Sequence, residues 1–231
     1  MCIRDRTITI AIDGPAGAGK STLARRLASR LGFLYIDTGA MYRAVALWAQ
    51  RLGVGWDDAR RLEQLARESR IELAPGGRVL LNGEDVSEAI RSPEISEGAS
   101  RVSAAPGVRR ALVEKQQQMG REASVVMEGR DIGTVVFPDA EVKIYLDAAP
   151  EERTRRRLKD LAARGVQADF AQVLHEIERR DQRDSTRADS PLRQAPDAIY
   201  VDSTSMSEDE VEEALLKIVR DRTSNGKEVT S

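Results

Sequence analysis

The sequence predicts an α/β protein: a parallel sheet flanked by helices, with a small antiparallel insertion and a helical lid. Three observations carry that expectation. Short β-branched runs alternate with amphipathic helical stretches from the N-terminal part onward, and this order specifies parallel strands with crossover helices. A glycine-rich turn joins the first run to the first helix. The stretch 56–101 then breaks the alternation with glycine-marked turns, before strand and helix patterns resume.

Taken in order, Thr7 to Ile12 reads as a buried strand. A helix is expected over Lys20 to Leu31, with Leu23, Leu27 and Leu31 on one stripe and Gly32 closing it. Phe33 to Ile36 is a second strand ending at Asp37, and a helix from about Ala40 to Leu52 stops at Gly53. Ile71 to Leu73 and Val79 to Leu81 flank Pro75-Gly76-Gly77 as a hairpin, and Asn82-Gly83 marks another turn. Helical spacing returns at Val108, Leu112 and Met119. Val125 to Met127 and Val142 to Leu146 read as further buried strands. Two arginine-rich helices, about 150–164 and 169–184, meet near Gly165, and Ala198 to Val201 forms a last strand. Ser207 to Glu210 is a capping box opening a helix with Val211, Leu215 and Ile218 inward. The expected division is one domain over 7–220: core 7–55, 102–149 and 196–220, insertion 56–101, lid 150–190. Residues 1–6 and 223–231 are expected to be disordered.

The 231 residues balance 36 Lys and Arg against 38 Asp and Glu, which argues against a general nucleic-acid binder. Ten arginines nevertheless fall between Arg153 and Arg193, a concentration suited to a small polyanion such as a phosphate ester. One cysteine, Cys2, excludes an intrachain disulfide and a cysteine-based zinc site. No apolar run approaches the ~20 residues that cross a bilayer, and no secretory h-region opens the chain. A cytoplasmic protein that contacts neither membrane nor nucleic acid is expected.

Gly14-Pro15-Ala16-Gly17-Ala18-Gly19-Lys20-Ser21 satisfies G-x-x-x-x-G-K-[ST] at each required position, followed by Thr22. Glycines let backbone N–H groups wrap a phosphate, and the following helix adds its positive end. Lys20 is expected on the β- and γ-phosphates of ATP, with Ser21 offering its hydroxyl to Mg²⁺. The P-loop NTPase class follows, but a P-loop alone does not separate a kinase from a GTPase, a motor or a regulatory switch. The chain has no N-K-x-D guanine-reading motif and little room for coupling domains.

Two other loops sit at strand ends, along the sheet edge where open α/β sheets bind ligands. Asp37-Thr38-Gly39-Ala40-Met41-Tyr42-Arg43 places Thr38 and Arg43 where both can face one phosphate. Glu128-Gly129-Arg130-Asp131-Ile132-Gly133-Thr134 offers a cation and a carboxylate beside a glycine. With GPAGAGKST, EGRDIGTVVFPDA, VKIYLDA and RRDQRDSTR, these strings resemble the bacterial cytidylate kinases from about Thr7 to Arg220.

The resemblance implies an ATP-dependent, Mg²⁺-assisted kinase for CMP and dCMP that works as a monomer. It implies that Thr38, with Asp37 and Tyr42 in the same motif, lies on the CMP, and that Arg43 takes the acceptor phosphate. By the same resemblance Ser100 and Arg109 read the base. Arg130 and Asp131 match the phosphate-binding arginine and a nucleoside-contacting carboxylate, and Arg180, Asp184 and Arg187 engage the acceptor's phosphate and ribose. Thr38 and Glu128 are Ser and Asp in some members. The expected catalytic set is Lys20 of the P-loop, Arg130 and Arg180 of the resemblance, and Arg156, read from the two arginine-rich helices as a lid arginine over the transferring group. Kinases of other small acceptors (AMP, UMP, shikimate), a slow-hydrolysing regulatory module and an RNA-binding protein are the competing readings. His175, the single histidine, reads as a helix-surface residue, because a phosphate acceptor needs no strong base. Trp48 and Trp56 read as packing residues.

Overall fold

The computed structural model describes residues 7–163 and 165–224. Its elements run β1 (Thr9–Asp13), α1 (Lys20–Leu31), β2 (Leu34–Asp37), α2 (Thr38–Arg51), α3 (Ala59–Glu68), β3 (Ile71–Ala74), β4 (Arg78–Leu81), β5 (Glu84–Asp85), α4 (Pro93–Val102) and α5 (Pro106–Glu122). They continue with β6 (Val125–Gly129), a π-helical turn Ile132–Val136, β7 (Val142–Asp147), α6 (Pro150–Ala162), α7 (Phe170–Thr186), β8 (Ile199–Asp202) and α8 (Glu208–Ser224). The five-stranded sheet is ordered β2-β6-β1-β7-β8. Strand β1 pairs in parallel with β6 and β7, and β7 with β8, so the α/β expectation holds.

The described residues form two compact units. The first comprises 7–35, 120–186 and 190–224 and contains most of the sheet. Ile10, Ile12, Val126, Ile144 and Leu146 from the strands pack with Leu23 and Leu27 of α1 and Val211, Leu215 and Leu216 of α8. Each such side chain, fully buried, contributes about 1.5–3 kcal/mol of transfer free energy. Strand β1 is buried at all five positions, as a central parallel strand covered on both faces requires. Gly32 ends α1 at φ 68°, and the capping box opens α8, with Ser207 and Glu210 bonding each other's backbone N–H at 3.3 and 2.8 Å. Helices α6 and α7 rest on a small cluster of their own, Leu161, Val173 and Ile177, with Leu158 against it. His175 is exposed on α7, as expected.

The second unit comprises 36–119 and 187–189. The hairpin pairs as expected, Ile71 opposite Leu81 and Ala74 opposite Arg78, and β5 returns through Asn82 and Gly83, both at positive φ. The stretch 56–101 was expected to be an antiparallel piece alone, and it also holds two helices. Asp58 caps α3 by accepting the Arg61 N–H, and Ser92 caps α4 by accepting the Ile95 N–H, with Pro93 at the first helical position. These short helices bury Leu62, Leu65, Ile95 and Val102 in one core with Met41, Val45 and Leu47 of α2 and Val108 and Leu112 of α5. Trp48 and Trp56 pack against that core.

Most strand and helix ends shift by one or two residues from the expectation, and two of the differences have a visible cause. Helix α2 starts at Thr38 rather than Ala40 because Asp37 accepts the Ala40 N–H and caps it. Helix α8 continues through Thr223 to Ser224, with the Thr223 hydroxyl bonded to the Val219 carbonyl at 2.8 Å, where a disordered tail was expected. Residues 1–6 and 225–231 lie outside the described residues. Among the described residues no helix is long and apolar enough to cross a membrane.

Candidate functional site

In the first unit, the loop between β1 and α1 has a backbone that few residues other than glycine tolerate. A Cβ on Gly14 would stand 1.9 Å from the Leu146 carbonyl oxygen, and Gly17 and Gly19 hold φ of 79° and 90°. No side chain caps α1, so its first-turn N–H groups face the loop and are available to an anion. Ser21 and Thr22 are exposed at that helix start, whereas Lys20 is 5% exposed and donates to the Pro15 carbonyl at 2.6 Å. Burial, then the field of Arg130, pushes the Lys20 amine down to about 7, with Arg180 adding to the effect and Glu128 and Asp13 opposing it. The structure therefore gathers Lys20, Arg130 and Arg180, three of the expected catalytic residues, within electrostatic reach of one another.

The loop rests on the arginines of α6. Arg153, 5% exposed, donates from Nε to the Ala148 carbonyl at 2.8 Å, and from Nη1 to Ala16 O at 3.0 Å and Asp181 at 2.5 Å. Arg156 donates to Ala18 O at 3.3 Å, Ser203 Oγ at 3.0 Å, Ser203 O at 2.6 Å and Glu152 at 3.1 Å. Its guanidinium thus ties the cradle's backbone to the segment after β8.

After β6, Arg130 donates from Nε to Asp184 of α7 at 2.9 Å. Burial works against the Arg130 charge, but Asp184, Asp181 and Glu128 more than offset it and hold the guanidinium above its ordinary range. Asp131 and Glu128 are buried, and Glu128 accepts from the Tyr35 hydroxyl at 2.5 Å. Asp13, the last residue of β1, accepts the N–H groups of Ile132 and Gly133, both at 2.8 Å. Burial raises its carboxyl to about 6, and those two bonds oppose the rise.

The second unit carries the other expected residues. Asp37 accepts both the Ala40 N–H and the Arg43 guanidinium, each at 2.8 Å, so the cap of α2 also braces Arg43. Thr38 and Tyr42 are buried on the same helix. Arg109, 2% exposed on α5, lies over the Tyr42 ring at 5.7 Å and donates to the Ser103 carbonyl at 3.3 Å. Ser100 on α4 is 5% exposed, and its buried hydroxyl makes no hydrogen bond to any described residue. A buried hydroxyl without a partner costs about 1–3 kcal/mol, and a bound polar group would recover that cost. Arg187 belongs to the same unit.

Three site residues escaped the sequence reading. Arg153 was one arginine among ten. Asp181 follows Arg180 in an arginine-rich stretch without any sign of which cation it pairs with. Asp13 stands next to a motif that does not specify it, and its one signal is an acid ending an otherwise apolar strand.

A family model described as cytidylate kinase matches residues 10–221. A cytidylate kinase of Solibacter usitatus (strain Ellin6076) is 61% identical over 227 residues, 97% of each chain. One from Syntrophotalea carbinolica (strain DSM 2380 / NBRC 103641 / GraBd1) is 53% identical over 221 residues, 94% of each. Among solved structures, an uncharacterized protein from Eubacterium ventriosum ATCC 27560 shares the fold at TM-score 0.50 and 12% identity. That match covers 91% of this chain and 97% of the other.

Proposed function

We propose that this chain, which belongs to the cytidylate kinase family, transfers the γ-phosphoryl group of ATP to CMP and dCMP, giving ADP with CDP or dCDP. The observation that carries the reading is the 61% identity to a cytidylate kinase over 97% of both chains. The site chemistry agrees with it. Residues 14–22 offer backbone N–H groups and Lys20 to the ATP phosphates. A phosphate oxygen of the acceptor attacks the γ-phosphorus in line. The bond from that phosphorus to the β,γ-bridging oxygen breaks, and ADP leaves with the electron pair. The attacking oxygen is already ionised, so the step needs no general base, consistent with the exposed His175.

Lys20, Arg130 and Arg180 neutralise charge on the transferring group, with Arg156 as the lid arginine that also bonds the cradle at Ala18 O. Arg43, Arg130, Arg180 and Arg187 hold the acceptor phosphate, Asp131 and Asp184 its nucleoside, and Ser100 and Arg109 the cytosine edge, with Asp37, Thr38 and Tyr42 beside them. The arginine-rich stretch 150–190 serves as the lid of a single kinase domain. Mg²⁺ fits the residues present at the start of α1, where an exposed hydroxyl stands beside the phosphate loop. Mg²⁺ is ordinarily held by one or two protein oxygens together with phosphates and water, and the exposed Ser21 hydroxyl supplies such an oxygen. When bound, the ion offsets phosphate charge. We place this activity in a cytoplasmic monomer that requires neither membrane nor nucleic acid.

Product analysis tests the reading. ATP with Mg²⁺ and CMP is expected to yield ADP and CDP in equal amounts; ADP without CDP would identify a hydrolase instead.

A further inference from the structure

Asp13 lies outside the phosphate-binding motif, yet both of its carboxylate oxygens are engaged. It is 5% exposed, and its two carboxylate oxygens each take one backbone N–H, those of Ile132 and Gly133, at 2.8 Å. These N–H groups begin the π-helical turn Ile132–Val136, where the helical bonding is widened: Val135 and Val136 both donate to Asp131 O, the second across five residues, and Phe137 donates to Ile132 O across five. A carboxylate bridging two consecutive amides is a charge-assisted pair of bonds, stronger than neutral ones and defined in direction. Gly133 has little room for a side chain: a Cβ would meet Lys143 Cδ at 3.1 Å, with Asp13 Oδ2 at 3.5 Å. Lys143 is itself tied to the Pro138 carbonyl and to Asp197.

The residues immediately before this clamp are Arg130 and Asp131. A shift of the Ile132 and Gly133 amides moves both, while the strand carrying Asp13 continues directly into Gly14. We infer that Asp13 is a positioning residue for the acceptor: its carboxylate sets the Arg130-Asp131 segment in register with the phosphate cradle. The inference rests on the proposed CMP kinase reading. Lys20, Asp131 and the Tyr145 hydroxyl interact electrostatically with Asp13, so a competing role through the Lys20 charge has to be separated from the clamp.

The test is Asp13→Asn, which keeps shape and can accept only one of the two N–H groups. Losing a charged bond of this kind corresponds to about a tenfold or larger effect. The KM for CMP is expected to rise about tenfold or more, the KM for ATP to change far less, and the Ile132 and Gly133 amides to exchange hydrogen faster. A loss carried by kcat and the ATP KM with the CMP KM unchanged would mean that Asp13 acts through Lys20, and would overturn the inference. Gly133→Ala sets a methyl against Lys143 Cδ beside the clamp and guards against an Asn variant that does not fold. It is expected to show the same selective rise in CMP KM, and an unchanged value would count against the clamp. A wild-type protein that makes no CDP would refute the functional reading instead, while the exchange rates would still report on the clamp.

Discussion

Lys20→Ala is expected to reduce CDP formation by about a thousandfold or more, the scale on which single charge-stabilising donors act on developing negative charge. The protein should remain folded, because the amine makes one described bond, to the Pro15 carbonyl, and stands among groups that push it down to about 7. Its placement costs stability: burial and two nearby guanidiniums both disfavour the ammonium form. Polyphosphate reverses that balance by bringing negative charge to the amine. Steady-state turnover with a thermal melt in parallel checks the expectation. Turnover within tenfold of wild type would remove Lys20 from the mechanism.

Arg130→Ala is expected to have the second largest effect, and on two measurements at once. Its Nε bonds Asp184, whose side chain is 6% exposed, so truncation removes the cation from a buried carboxylate. Breaking one side of such a pair costs about 3–5 kcal/mol, which should lower the melting temperature clearly. Acceptor use should fall as well, by about a hundredfold in kcat/KM for CMP, from lost charge-assisted contacts of a few kcal/mol. Arg130→Lys separates the two effects. It restores a positive charge near Asp184 and with it much of the stability, but a point charge lacks the planar fork that holds a phosphate by two bonds. Recovery of melting temperature without recovery of CMP use is the expected pattern. Full recovery of both would reduce Arg130 to a counter-ion for Asp184.

The elements that the sequence specified best were those whose local signals agree with their packing. The bounds of α1 were predicted to the residue because Gly19 and Gly32 both sit at left-handed φ and frame an uninterrupted apolar stripe. The hairpin was legible because its turn residues demand positive φ. Helices α3 and α4 were not legible: each is ten residues long, and their caps, Asp58 and Ser92, lay in a stretch whose glycine turns pointed to strands. Their stability comes from the shared core with α2 and α5, which periodicity over so short a span does not reveal.

The site divides in the same way. The cradle is written into a spacing that only one backbone conformation satisfies, so it could be read directly. Acceptor residues such as Ser100 and Arg109 came from resemblance alone. Burial of the Ser100 hydroxyl without a described partner is a physical mark that no linear pattern carries. Asp13 and Arg153 act through backbone groups 119 and 137 residues away, contacts that exist only once the chain is folded.

The central claim is that this protein recognises cytosine on the molecule it phosphorylates. The most direct measurement is ADP release from ATP and Mg²⁺ with CMP, dCMP, UMP, AMP or no acceptor in parallel. Release confined mainly to CMP and dCMP is the predicted result. Equal release with AMP, or release that does not depend on an acceptor, would contradict it.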